Sequence, residues 1–250
     1  MNAFEDKVVI VTGGGAGIGR AAALKFAAQG ARVLVTGRRI EPLQSVAAQH
    51  RNILFTIADA ANPNDAERTI QEAIDRCGRL DVLVNNAGAG AILPLAEASA
   101  GRIDQIFRVN VFGPSLLART ALPHLQETRG SIVNVSSTFG HKAAPALSHY
   151  AASKAAVEHM TRCWALELAP DRVRVNAIAA GPAETDFLVE RMGLSMEQAE
   201  RVKANERDRI PLGRRGDPDE VARWIVSIAS PAAAWITGQI LTVDGGLNIA

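Results

Sequence analysis

The sequence predicts an α/β fold in which one doubly wound parallel sheet carries helices on both faces. Three observations predict it: seven short β-branched runs alternate with longer helical segments, a glycine-rich turn joins the first run to the first helix, and no linker or repeat interrupts the 250 residues. The runs are KVVIVT (7–12), RVLVT (32–36), ILFTIA (53–58), DVLVNN (81–86), SIVNVSS (131–137), RVRVNAIA (172–179) and QILTV (239–243). Strands this apolar need cover on both faces, and the helices between them supply βαβ crossovers. One domain spanning 1–250 is expected, because a chain of this length with 48% hydrophobic residues can bury a full core. The stretch from Leu147 to Leu168 is alanine-rich without internal glycine or proline, which predicts a helix. The one charge-dense stretch, ETDFLVERMGLSMEQAERVKANERDR, predicts either a lid over about 184–210 or a fixed amphipathic surface helix.

Composition excludes several classes of partner. The 27 basic residues nearly cancel the 26 acidic ones, so there is no long-range field for nucleic acid or an anionic membrane. Cys77 and Cys163 stand far apart and support neither a disulfide framework nor a zinc site, which suits a reducing cytoplasm. The leading MNAFEDKVVI has no basic segment followed by an apolar one, and no run of about 18 apolar residues occurs, so a cytoplasmic protein is expected. His141, His149 and His159 are too scattered to make a metal centre.

The glycine turn is TGGGAGIGR, 12–20, between the first strand and the helical AAALKFAAQG. Glycines there let a backbone approach a pyrophosphate, whose charge the free N–H groups of the helix start stabilise. The pattern T-G-x-x-x-G-I-G describes it better than the dinucleotide fingerprint formed by Gly17, Gly19 and Ala22, and it makes Gly13, Gly15, Gly17, Ile18 and Gly19 candidate cofactor contacts. The second strand ends in VTGRR. An acidic residue at that point would bind an adenosine ribose and repel a 2′-phosphate, whereas Gly37 leaves room and Arg38 and Arg39 offer forks suited to phosphate. NADP(H) is therefore expected over NAD(H), with NAD(H) as the alternative.

Tyr150, the one tyrosine, stands four positions before Lys154. In a helix the two share a face, so a phenol and an ammonium reach a common point. Lowering a phenol pKa from about 10 to about 7 takes about 4 kcal/mol, and an ammonium about 4 Å away at an effective dielectric of about 20 supplies a similar amount. Tyr150 is the expected general acid/base on that arithmetic. Ser137, closing NVSS, falls at the carboxyl edge of the sheet, where ligands of open α/β sheets bind, and its hydroxyl suits a substrate carbonyl. Asn110 is a poor helix former inside a helical segment, a place where its side chain holds water or disturbs the helix.

Together these residues resemble the short-chain dehydrogenase/reductase family over nearly the whole chain. TGGGAGIG is similar to its cofactor turn, DVLVNNAG to the motif after its fourth strand, VNV, NVSS and YAASK to its asparagine, serine and Tyr-x-x-x-Lys sites, and IPLGRRGDPDEVA and ITGQILTVDGG to its C-terminal third. The resemblance implies a Rossmann-type sheet of order 3-2-1-4-5-6-7 and a catalytic tetrad of Asn110, Ser137, Tyr150 and Lys154, with Lys154 also holding the nicotinamide ribose. It implies that Asp59 and Ala60 lie beside adenine, that Asn86, Ala87 and Gly88 line the cofactor, and that Thr185 bonds the carboxamide. It further implies a homotetramer or homodimer. One departure is Ala180 before Gly181, where the family commonly has proline, which loosens the turn beside the nicotinamide. The activity implied is hydride transfer between NADP(H) and a small-molecule ketone or secondary alcohol, such as a 3-oxoacyl thioester. The alternatives are an NAD-linked sugar, polyol or hydroxysteroid dehydrogenase, and a non-catalytic NADP(H)-binding module. His141 and Lys142 are read either as contacts to an anionic substrate group or as a solvated loop.

Overall fold

The computed structural model describes residues 3–250, so Met1 and Asn2, the start of the segment searched above for an export signal, lie outside the described residues. The seven runs form strands: β1 Val8–Thr12, β2 Arg32–Gly37, β3 Ile53–Ile57, β4 Val82–Asn85, β5 Ser131–Ser137, β6 Arg174–Ala180 and β7 Ile240–Val243. They make one parallel sheet in the order β3-β2-β1-β4-β5-β6-β7, as expected. β6 begins at Arg174 rather than at residue 172 because Arg172 sits at φ 61°, outside the extended region.

Alternation along each strand splits the core in two. Val9, Val11, Val33 and Val35 point to one face, where Phe26 of α1 (Gly17–Ala28) and Ile225 of α9 (Pro218–Ala229) cover them. Ile10, Leu34 and Leu83 point to the other, under α3 (Pro63–Cys77), α5 (Gly113–Thr128) and α6 (Ser148–Leu168). Each fully buried Leu or Ile in these layers contributes about 1.5–3 kcal/mol of transfer free energy. The remaining helices are α2 (Ile40–Ala47), α4 (Ala100–Phe107), α7 (Phe187–Glu190) and α8 (Met196–Arg209).

Helix ends follow local chemistry. Asn62 caps α3 by accepting from the Asn64 N–H, Pro63 supplies the preset φ of the first turn, and Gly78 ends the helix at φ 79°. Two devices matter for the site. Ser195 and Gln198 form a capping box that starts α8 afresh after Gly193, at φ 74°, so the charged stretch folds as two helices rather than one. Between α4 and α5 the chain makes a π-helical turn, Arg108–Phe112, with Asn110 in the middle. Such turns insert one residue into the helix and re-aim its side chains. No described helix is long and apolar enough to cross a membrane.

Candidate functional site

The sheet order reverses between β1 and β4, and the crevice above that reversal is where open α/β sheets bind ligands. A cavity of about 530 Å³ lies there, floored by the turn after β1, the Asn86–Gly88 loop after β4 and the end of β5. Thr12 joins the first two. Its Oγ1 accepts from the backbone N–H groups of Asn86 and Ala87, each at 3.0 Å, and the Asn86 Nδ2 donates back to the Thr12 carbonyl at 2.9 Å.

Of the glycines expected around a pyrophosphate, Gly13 (φ 65°) and Gly17 (φ 51°) line the cavity together with Ile18. Gly15 and Gly19 stand beside them in the same turn, and the space around each is taken by protein. A Cβ on Gly15 would stand 3.1 Å from Pro42, and one on Gly19 would run into the Gly13 carbonyl and the Asn86 side chain. Gly19 is needed for the close fit of α1 against the two loops. This is a cradle that a Cβ would fill, and together with the open N-terminus of α1 it fits a dinucleotide pyrophosphate.

At the other end of the crevice β2 and β3 run side by side, and Arg38, Asp59 and Ala60 line the cavity. Asp59 accepts from the Ala61 N–H at 3.0 Å, which fixes the turn. Arg39, the residue before α2, is half-exposed, and its Nη2 pairs with Glu190 Oε2 of α7 at 2.7 Å.

The candidate tetrad converges at the end of β5. Tyr150 is buried, its phenol hydrogen-bonded to the Ser137 hydroxyl. Lys154, also buried, extends its Nζ to within 5.9 Å of the Tyr150 ring centroid and donates to the Val135 carbonyl at 2.8 Å. Asn110 stands behind them with its amide spent on protein. Its Nδ2 donates to the Ala89 carbonyl (2.8 Å) and to Ser153 Oγ (2.9 Å), and its Oδ1 accepts from the Ala89 N–H (2.8 Å). Ser153 in turn donates to the Tyr150 carbonyl at 2.7 Å, so Asn110 and Ser153 together tie the loop after Gly88 to the start of α6. Asn110 does not line the cavity.

The electrostatics differ from the expectation. Burial raises the Tyr150 pKa above 10, and the Ser137 hydrogen bond opposes it without reversing it. The sequence arithmetic counted an ammonium but not the loss of water. For Lys154 burial is also the largest influence and lowers its pKa to about 8, against a neighbouring carboxylate, Glu158, that raises it. Between about pH 8 and the ordinary value of 10.5 the unfolded chain therefore holds a proton that the folded protein lacks. The burial cost is fully present below pH 8 and relieved as pH rises through that window, so the Lys154 contribution to stability grows with pH. Denaturant unfolding from about pH 7 to about pH 10 is expected to show this rise in the parent chain and its absence in Lys154→Met.

Glu158 had no place in the sequence reading, although it lies one helical turn beyond Lys154. It is buried, accepts from Ser136 Oγ at 2.8 Å and meets His141 Nδ1 at 3.2 Å. His141 is thereby turned toward α6, and Lys142 Nζ reaches the Ala250 carbonyl at 2.6 Å, so neither lines the cavity. Ala180 stays in register between Ser137 and Val243, and the Gly181 N–H donates to the Val243 carbonyl at 2.9 Å, which holds the turn that lacks proline. Gly181 itself lines the cavity, and a Cβ on it would strike Asp244.

Residues 185–209 form the remaining wall. Thr185 lies against Gly17, Phe187 packs on the Tyr150 ring with centroids 6.2 Å apart, and Leu188 and Met192 join Tyr150 in one apolar cluster. Arg215, from the loop before α9, is buried against Glu206 of α8 and the Ala183 carbonyl.

The class this architecture defines is the doubly wound nucleotide-binding class, with a Tyr–Lys pair beside the crevice. Comparison with known proteins narrows it. A family model described as enoyl-(acyl carrier protein) reductase matches residues 13–248. The chain is 36% identical to 3-oxoacyl-(acyl-carrier-protein) reductase FabG of Thermotoga maritima, covering 98% of this chain and 99% of that one. It is 36% identical to meso-2,3-butanediol dehydrogenase of Serratia marcescens, covering 97% and 95%. The crystal structure of 3-ketoacyl-(acyl-carrier-protein) reductase from Brucella melitensis complexed with NADH superposes with a TM-score of 0.91 at 34% identity, covering 98% of this chain and 99% of that one. The chain belongs to the short-chain dehydrogenase/reductase family of oxidoreductases.

Proposed function

We propose that the protein is an NADP(H)-dependent reductase of ketones carrying apolar substituents, 3-oxoacyl thioesters among them, working reversibly on the corresponding alcohols. The observation that carries the reading is the meeting of Ser137, Tyr150 and Lys154 at one cavity with a glycine cradle at its other side. The nicotinamide supplies or takes up hydride when bound. Gly13, Gly17 and Ile18 hold its pyrophosphate, Asp59 and Ala60 the adenine, and Asn86, Ala87, Gly88, Gly181 and Thr185 the remainder. Tyr150 gives its proton to the substrate oxygen during reduction, Ser137 orients that oxygen, and Lys154 supplies positive charge beside the phenol and holds a ribose hydroxyl. Asn110 acts through Ser153 and the Ala89 loop as a positioning residue. A phenol whose pKa is raised is suited to donate, since it stays protonated at neutral pH until the substrate takes its proton.

The apolar wall of Phe139, Leu147, Phe187, Leu188, Met192 and Val202 favours an acyl or hydrocarbon substituent over a sugar. We place residues 184–210 as the lid over it, and a second copy of the chain against exposed Phe112, Leu166 and Trp235. Gly37 and Arg38 support NADP(H). The NADH in the Brucella relative favours a second reading, an NAD-linked dehydrogenase. Dissociation constants for NADPH and NADH, followed by NADPH oxidation against ketones, aldehydes, sugars and acyl thioesters, test both. Tighter NADPH binding and turnover of apolar ketones or 3-oxoacyl thioesters are expected. Tighter NADH binding overturns the cofactor assignment, and turnover confined to sugars overturns the substrate class.

A further inference from the structure

We infer that Arg191, carried by the lid, forms a 2′-phosphate site together with Arg38, so that the phosphate distinguishing NADP(H) from NAD(H) also draws the lid into place. The inference rests on the NADP(H) reading above and adds to it a residue far from β2 in sequence. Arg38 and Arg191 line the same cavity, and among the described residues neither guanidinium has a hydrogen-bonding or ion-pair partner. Arg39, adjacent to Arg38, is occupied differently: Glu190 of α7 pairs with it at 2.7 Å. The ion pair brings the end of α7 to the end of β2, so that the residues next to the pair, Arg38 and Arg191, line the same part of the crevice.

The charges there are unbalanced in one direction. Half-burial is the largest influence lowering the Arg191 pKa, and Arg38 and Arg39 lower it further, while Glu190 and Asp59 oppose them. Two unpaired guanidiniums repel each other unless an anion lies between them, and a phosphate dianion accepts from both in the bidentate geometry that arginine favours. Asp59 and Glu190 are single carboxylates already engaged, by the Ala61 N–H and by Arg39 respectively.

α7 then links the two ends of the crevice. Its first residue, Phe187, packs on Tyr150, and its last, Glu190, holds Arg39. Four helical residues rise about 6 Å, so a phosphate that fixes Arg191 fixes Phe187, Leu188 and Met192 against the phenol as well. NAD(H), without the phosphate, leaves Arg191 without its anion and the lid less firmly held.

The test uses 2′,5′-ADP and 5′-ADP as probes, titrated calorimetrically into the parent chain, Arg191→Gln, Arg191→Lys and Arg38→Gln. Loss of one charge-assisted contact is expected to weaken 2′,5′-ADP about 10- to 100-fold in Arg191→Gln, with 5′-ADP little changed and Arg191→Lys intermediate. Hydrogen exchange of residues 187–192 is expected to slow with 2′,5′-ADP in the parent and not in Arg191→Gln. Equal weakening of both probes, or of neither, overturns the inference. If Arg38→Gln loses the preference for 2′,5′-ADP while Arg191→Gln keeps it, the NADP(H) reading stands and the lid assignment alone fails. If the parent shows no preference, both fail.

Discussion

Replacing Tyr150 by phenylalanine is expected to lower turnover by about 10²- to 10⁴-fold, the range that a positioned proton donor contributes, while nucleotide affinity stays within about twofold. The substitution removes one oxygen from a ring that is otherwise fixed: Phe187, Leu188 and Met192 surround it, and the backbone at residue 150 is held by Ser153. A phenylalanine ring keeps those contacts, so the loss registers as chemistry rather than misfolding. What disappears is the transferable proton and the partner of the Ser137 hydroxyl, itself buried and left with the Phe139 N–H as a donor to it. Stopped-flow NADPH oxidation together with NADPH titration separates the two quantities. Undiminished turnover in Tyr150→Phe would remove the acid/base assignment, and lost nucleotide binding would show that the phenol is a cofactor contact first.

A second large effect is expected away from the chemistry. Gly19→Val should weaken dinucleotide binding more than about 100-fold and destabilise the protein by about 1–3 kcal/mol, the usual cost of forcing bulk into a packed interior. The added Cβ meets the Gly13 carbonyl and the Asn86 side chain, neither of which can retreat. Gly13 is fixed in the turn after β1, and Asn86 is bonded to the Thr12 carbonyl. α1 must therefore slide outward, taking its N–H groups away from the pyrophosphate. Gly15→Ala makes the control, because its Cβ meets the Pro42 side chain at 3.1 Å and Leu43 at ordinary contact distance, and is expected to bind nucleotide within about tenfold of the parent chain. Thermal unfolding and NADPH titration of both variants check the difference.

The strands and the long helix were legible because their signal is local. β-branched runs and an alanine-rich stretch without glycine specify themselves, and the S-x-x-Q box and Gly193 that divide the charged segment are also present in the letters. The unusual placement of Asn110 was hinted at by its poor helix propensity, although the π turn itself was not. Arg38 and Arg39 show where such reading ends. Adjacent in sequence, they differ in surroundings: Arg38 lines the cavity, while Arg39 pairs with Glu190, about 150 residues later in the chain. The Tyr150 phenol fails in the same way: charge can be counted from spacing, but burial comes from helices that the spacing does not mention. Glu158, Arg191 and Arg215 were missed for the same cause, since charged residues read as solvated until the fold closes over them.

The Thr12 hydroxyl, accepting from two consecutive backbone N–H groups, makes the bottom of the crevice a single stiff piece, whereas its top is two short helices joined at a glycine. The floor is thereby expected to hold its shape while the helices above it shift about Gly193. Sequence drift is therefore expected to be tolerated in the upper helices sooner than at Thr12, where one lost hydroxyl unties two loops at once.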